Sequence, residues 1–428
     1  MGDVPIELKR ETKFKWTKGG DMKRGAKEQR PATAKRTTGP SGAAEMKKRT
    51  IAGQPSWVVQ TPEVELAVTQ LGGHMAPVTF CRNTDRPVQP YYVSSWQGKR
   101  LRIPAPVLVP LRGDFFCLPF GGNAAAFEGR QFPGHGEPAT ATWTLAGVAA
   151  EGGVTTLTLV QKQRLMPGCV TKQLSLVNGQ NVVYCRHVID GCSGPMPLGH
   201  HASLRVPEQE GAMRVAVSPF TFGLTCPILF SDPANREYQS LAIGAEFTDL
   251  RRVPLIWKEP AEADGTRYPA RRGFTDLMAV FSETPRKQPA WVAATVQEEG
   301  YVWFALKDPA VQPATVLWIQ NGGRHGFPWN GGERCLGLED VCAFFAEGLA
   351  ASVQDNVLSA GGVPTCVTLS PDRPTAVNYI QGVARIPDGF ECVKDLAFAP
   401  GEVTFRSVTG KTVAVPVRHE FVRTGALR

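Results

Sequence analysis

What most limits the fold of this chain is its punctuation. With 44 glycines and 35 prolines in 428 residues, few stretches are long enough to form a helix without meeting a breaker, and many short strands joined by turns are favoured instead. The strand signal is explicit near the start, where Val64, Leu66 and Val68 alternate with Glu63, Glu65 and Ala67, the period of a half-buried strand. Three hairpins follow from local turn chemistry. LSLVNGQNVVYCRHV turns at Asn178-Gly179, WVAATVQEEGYVWFAL near Gly300 and VTFRSVTGKTVAVPV near Gly410, each between runs rich in β-branched and aromatic residues. The expected class is all-β and antiparallel. One helix is expected, from Asp340 through VCAFFAEGLAASVQ, because Val341, Phe344, Phe345 and Leu349 fall at roughly helical spacing with Asp340 in the capping position.

Charge locates a second boundary. The formal net charge is +8, and residues 1–50 hold fourteen Lys and Arg against six Asp and Glu, so the whole excess sits in that segment and the remainder is close to neutral. Residues 1–49 carry few apolar side chains and are expected to form a solvated, disordered basic extension. Met46 is an alternative start. Residues 50–428 contain no linker and no short repeat and are expected to form a single domain. A basic tail alone is weak support for a nucleic-acid partner, and no apolar run suits a membrane span or a secretory leader, so a cytoplasmic protein, monomeric or homodimeric, is expected. Ten cysteines show no CxxC pair and no zinc-like spacing, which reads as buried free thiols in a reducing compartment.

Three segments carry groups suited to chemistry. PLRGDFFCLPFGGNAAAFEGRQFPGHGEPATATW places Arg112, Asp114, Asn123 and His135 around a Gly-rich loop, a mixture found in polar ligand pockets and in solvated loops alike. In PMPLGHHASLRVPE the adjacent His200 and His201 open a strand, so they point to opposite faces and at most one reaches a given cleft. LWIQNGGRHGFPWNGGERCLGLEDVC runs from a strand into a Gly-rich aromatic loop and then sets Glu339 among Leu336, Leu338 and Val341. Burial there would raise a carboxyl pKa toward neutrality, as acid–base work needs; capping a following helix is the equal alternative.

In this order the segments resemble the galactose mutarotase-like superfamily, which includes aldose 1-epimerases and related hexose-phosphate epimerases. His135-Gly136 followed by Trp143 is similar to a His-Gly pair with a tryptophan downstream. His201 in LGHHASL resembles the histidine that heads a later strand, Glu339 in CLGLEDV resembles the catalytic glutamate, and VELAVTQLGGHMAPVTF is similar to an early strand that ends in a Gly-Gly turn. The resemblance runs from about Val58 to Val357. It departs at Ala202 and Ser203, where aromatic residues usually stand, and the nearest counterpart of the family's acidic sugar ligand is Asp276 in RRGFTDLMAVF.

The resemblance implies a large antiparallel β-supersandwich with a few short helices, and a concave cleft for a hexose or sugar phosphate. Anomer interconversion by ring opening would use Glu339 as base and His201 as acid, with roles exchanged on closure and no metal or organic cofactor. His135, Arg112, Asp276, Asn321, Arg324 and Trp329 would contact the sugar. Two other functions share the fold's logic: a carbohydrate-binding or regulatory protein without catalysis, and a metal-dependent enzyme acting on polysaccharides through His135, His200 or His201 and a carboxylate.

Overall fold

The computed structural model describes residues 48–283 and 288–427; residues 1–47, which hold nearly all of the basic segment, lie outside this range. Within it two large antiparallel sheets dominate. One has nine strands in the spatial order Arg267–Tyr268, Met213–Val217, Ala290–Val296, Tyr301–Lys307, Thr375–Arg385, Val182–Asp190, Cys169–Val177, Val154–Lys162 and Thr144–Glu151. The other has seven, in the order Glu246–Phe247, Phe220–Thr225, Phe274–Ser282, Ala314–Asn321, Arg334–Cys342, Leu198–Arg205 and Phe116–Cys117. All three expected hairpins form, at Val177–Val182, Val296–Tyr301 and Ser407–Thr412. The chain is an all-β sandwich.

Strand alternation assigns each side chain to a layer. On the seven-stranded sheet Leu204, Ala202, Leu336, Leu338, Leu317, Ile319, Met278 and Val280 point inward and pack with Leu174, Leu176, Val183, Val292, Trp303 and Val377 of the nine-stranded sheet. The far side of the nine-stranded sheet is covered as well. There Val302, Phe304, Leu306 and Ile380 meet Val403 and Phe405 of a C-terminal three-stranded sheet and Phe421 of a short helix. Central strands such as Tyr301–Lys307 are therefore buried at every residue, which explains why they read as unbroken apolar runs rather than alternating ones.

The same effect corrects the expected helix. Residues Arg334–Cys342 are a strand buried along nearly all its length, and its apolar residues on both faces imitated helical spacing. The helix that follows is only Leu349–Val353. Its first free backbone N–H, at Leu349, is taken by Asn123 Oδ1 at 2.8 Å, so no capping role falls to Asp340 or Glu339.

Asp340 instead points into the space between the sheets. Lys307 Nζ, from the nine-stranded sheet, lies 2.7 Å from Asp340 Oδ1, and both side chains are about 1% exposed. The Thr315 hydroxyl donates to Oδ1 at 2.6 Å and the Tyr379 hydroxyl to Oδ2 at 2.7 Å. Lys307 also donates to the Ala314 carbonyl at 2.7 Å. Nearby His200 Nδ1 lies 2.9 Å from Asp114 Oδ2, and Gln381 of the nine-stranded sheet donates to the same oxygen at 2.9 Å. Polar contacts thus tie strands Arg334–Cys342 and Leu198–Arg205 to the opposing sheet. Removing one member of a buried ion pair leaves an uncompensated charge, so Lys307→Met alone should lower the unfolding free energy by about 3–5 kcal/mol. The double variant Lys307→Met/Asp340→Leu should recover most of it. Urea unfolding midpoints test this; a loss below about 1 kcal/mol for the single variant would show that the pair does not hold the sheets together.

Candidate functional site

Because Asp340 is directed inward, its neighbour Glu339 projects from the outer face of the seven-stranded sheet. The strand Leu198–Arg205 pairs with it so that His201 stands opposite Glu339, and His201 Nε2 lies 3.0 Å from Glu339 Oε1. The room for that carboxyl comes from Gly337, where an added Cβ would fall 2.7 Å from Glu339 Oε1 and 3.0 Å from Trp318 Cβ. On the other ring edge, Ser203 Oγ is 3.2 Å from His201 Nδ1. Of the adjacent histidines, His201 therefore faces the site, while His200 faces the inter-sheet core.

His135 completes the group. It adopts φ +60° at the start of the short helix Gly136–Thr140, and Gly136 follows at φ +77°, where a Cβ would fall 1.9 Å from the Leu118 carbonyl oxygen. The His-Gly pair is thus a backbone requirement of a tight turn. Trp143 braces this turn by donating from its indole to the Pro138 carbonyl at 2.9 Å. The His135 ring meets the His201 ring edge-to-face at 5.0 Å, and Cys117 Sγ lies 3.5 Å from His135 Nδ1. Phe115 is sandwiched between His201 and His74, with ring centroids 4.4 and 4.1 Å away.

Glu339, His201, His135 and Phe115 line a cavity of about 100 Å³, walled by Leu108, Leu111, Phe230, Leu277, Trp318 and Trp329 and containing Arg324. The Arg324 guanidinium lies over the rings of Trp318, Trp329 and Phe230 at 5.6, 5.2 and 5.3 Å, an arrangement that favours a cation. Its Nε is 3.5 Å from Glu237 Oε1. Burial lowers the Arg324 pKa from the usual guanidinium range.

The apolar walls also control protonation. Burial raises Glu339 well above the ordinary carboxylate range, against a smaller opposing effect of the Arg324 charge. Burial lowers His201 well below the ordinary imidazole range, assisted by His135, and brings His135 to about 4 and His74 to about 3. Desolvation disfavours each charged form, so burial pushes this hydrogen-bonded pair toward a neutral carboxyl and a neutral imidazole.

Of the eight residues assigned from sequence to catalysis or sugar contact, Glu339, His201, His135, Arg324 and Trp329 meet in this cavity, and three do not. Arg112 is held by the carbonyls of Ile51, Ala52 and Pro110 and by Gln97 Oε1, at 2.9, 2.8, 3.2 and 2.6 Å; it fastens the first hairpin. Asn321 donates to the Ala270 carbonyl at 2.5 Å. Asp276 lies on the opposite face of the sheet and accepts from the Ser240 and Leu241 backbone N–H groups and the Ser240 hydroxyl, at 2.7, 2.8 and 2.6 Å. Phe115, Trp318 and Ser203 were not anticipated, although extending the period of two from Glu339 and His201 onto neighbouring strands would have found them. Among the described residues no three His, Cys, Asp or Glu side chains converge as a metal site, and the ten cysteines are free thiols. No helix among the described residues is long and apolar enough to cross a membrane.

No protein-family model matches the sequence, and no curated protein does. Solved structures do match. A galactose mutarotase-like protein from Clostridium acetobutylicum aligns over 79% of this chain and 98% of its own, with 13% identity and a TM-score of 0.54. A candidate aldose 1-epimerase from Escherichia coli K12 aligns over 78% of this chain and all of its own, at 14% identity and a TM-score of 0.51. A candidate mutarotase from Salmonella typhimurium aligns over 79% and 93%, at 11% and 0.51. The chain has the galactose mutarotase-like fold.

Histidines that are neutral when buried and charged when unfolded take up protons on unfolding, so their contribution to stability is present above about pH 6.5 and is lost as the pH falls. Each adds a slope of about 1.4 kcal/mol per pH unit below that value. Glu339 acts in the opposite sense: its raised pKa favours the folded state at low pH, and this is lost as the pH rises. His201→Gln should therefore flatten the fall in stability as the pH drops below about 6.5, and Glu339→Gln should remove the loss of stability that begins as the pH rises above about 4.3. Denaturant midpoints across pH check both; unchanged slopes would mean that neither group is held neutral.

Proposed function

We propose that the protein interconverts the anomers of a hexose or related sugar in the Glu339–His201 cavity. The observation that carries this is the 3.0 Å contact between a carboxyl and an imidazole whose pKa values burial displaces in opposite directions. Pairs of titratable groups separated in this way are suited to acid and base roles. The fold supports the reading, since the solved structures with the same fold include chains described as aldose 1-epimerase and mutarotase.

Burial favours the proton on Glu339, and with it there the opening step takes the roles in the opposite sense to the one the resemblance implies. Glu339 donates to the ring oxygen while His201 Nε2 accepts the anomeric hydroxyl proton; the C1–O bond of the ring breaks and C1 becomes an aldehyde. Rotation about C1–C2 and closure with the two protons returned gives the other anomer. Ser203, beside Nδ1, holds the second imidazole proton and leaves Nε2 as acceptor. Arg324 is the cation placed to meet a phosphate or carboxylate on the sugar. A pyranose must part Glu339 from His201 and enlarge a cavity that is below the usual range for ligand sites, which calls for movement of Arg324 and the loop that carries Trp329.

That small cavity favours a second reading, a sugar-binding protein without catalysis. Anomer exchange, followed by NMR on a panel of aldoses and their 6-phosphates, separates the two. Catalysis should fall by about two to four powers of ten in Glu339→Gln and in His201→Gln. Equal rates in wild type and Glu339→Gln would remove Glu339 from the chemistry, and sugar binding with no exchange above the spontaneous rate would establish the second reading.

A further inference from the structure

A second cavity lies behind the sheet that carries Glu339. The strand Phe274–Ser282 sends Leu277 to the Glu339 side, whereas Asp276 and Met278 line a hollow of about 510 Å³ on the opposite side, together with Ile319 of the neighbouring strand. Most of its wall is apolar, from Leu241, Val253, Leu255 and Met278, with the Trp257 indole at one side. That indole is fixed in place. The Arg271 guanidinium lies 4.9 Å from its ring centre and Phe274 meets its edge at 5.5 Å.

One part of the wall is polar and incomplete. Tyr268 lines the hollow and is only 1% exposed, and its hydroxyl meets no hydrogen-bond partner among the described residues. The carboxyls of Asp264 and Asp276 are close enough to raise its pKa, after burial itself, yet both are engaged elsewhere. Asp276 accepts from Ser240 and Leu241 as described, and Asp264 accepts from the Thr266 N–H and hydroxyl and from Arg267 Nε. A buried donor left unsatisfied is unfavourable by about 1–3 kcal/mol and is rare in native proteins. Here the donor borders a space of the size that ligands occupy.

The charges around the hollow select the ligand class. Asp264 is paired with Arg267 and Glu262 with Arg252, the lining residues Glu210 and Arg271 carry opposite charges, and burial raises the Asp276 pKa, so no strong net charge awaits an ion. We propose that this cavity binds an uncharged ring compound that lays its apolar body along Trp257, Leu255 and Met278 and presents an oxygen acceptor to the Tyr268 hydroxyl. The site is separate from the Glu339 cavity and does not depend on the function assigned there.

Coumarin, an uncharged bicycle with a lactone carbonyl, is a suitable probe. Saturation-transfer NMR titration of the full chain should show saturable binding, weakened about tenfold in Tyr268→Phe, the size of one lost hydrogen bond. Val253→Trp should fill the hollow and abolish binding, while Glu339→Gln should leave it unchanged. Since the phenol donates to no described group, Tyr268→Phe should not lower the thermal midpoint, which keeps this variant decisive even if the tryptophan variant fails to fold. Absence of saturable binding to wild type, wild-type affinity in Tyr268→Phe, or weakened binding in Glu339→Gln would each overturn the proposal.

Discussion

The buried pair between Lys307 and Asp340 decides which way the strand Arg334–Cys342 presents its side chains. With a side-chain period of two, a carboxylate anchored between the sheets obliges the residue before it to face outward. A one-residue slip would bury Glu339 between the sheets and turn Asp340 to the outer face. The paired strand is fixed in the same sense, since His200 is taken by Asp114 and His201 is thereby directed opposite Glu339. Two adjacent dipeptides, His200-His201 and Glu339-Asp340, thus divide into an inner half held between the sheets and an outer half that faces the cavity.

The outer half acquires its properties from what surrounds it. Leu108, Leu111, Leu277 and Trp318 supply little polarity, so burial outweighs the favourable field of Arg324 on Glu339 and disfavours the charged form of both members of the pair. Phe115 adds rigidity by stacking on His201 from one side while His74 stacks on it from the other. The two groups thus stand as a hydrogen-bond donor and acceptor 3.0 Å apart on one wall of the cavity. The aromatic rings around Arg324 provide a cation in the same cavity without a strong ion pair.

The sequence was most legible where structure is local. Asn178-Gly179, Gly300 and Gly410 set their hairpins through turn geometry alone, and period two in Val64, Leu66 and Val68 required only a half-buried strand. It was least legible where both faces of a strand are covered, since Val341 sits in a continuous apolar stretch that also fits a helix. Polar candidates divided according to their partners, which lie far away in the chain. Arg112 and Asn321 bond to backbone carbonyls of distant segments, and Asp276 points to the other side of its sheet, facts that residue type does not encode. The Glu339–His201 pairing was suggested by family resemblance; its geometry depends on the register of two strands more than 130 residues apart, which no local signal contains.

The protonation of Glu339 at neutral pH is the point on which the account turns. Infrared spectroscopy of the wild type at pH 7, with Glu339→Gln subtracted, reads it directly. A protonated carboxyl carbonyl band present in the wild type and missing from the variant is the predicted result. Carboxylate bands alone at that pH, lost in the same variant, would show that Glu339 is ionised and would contradict the neutral acid–base pair.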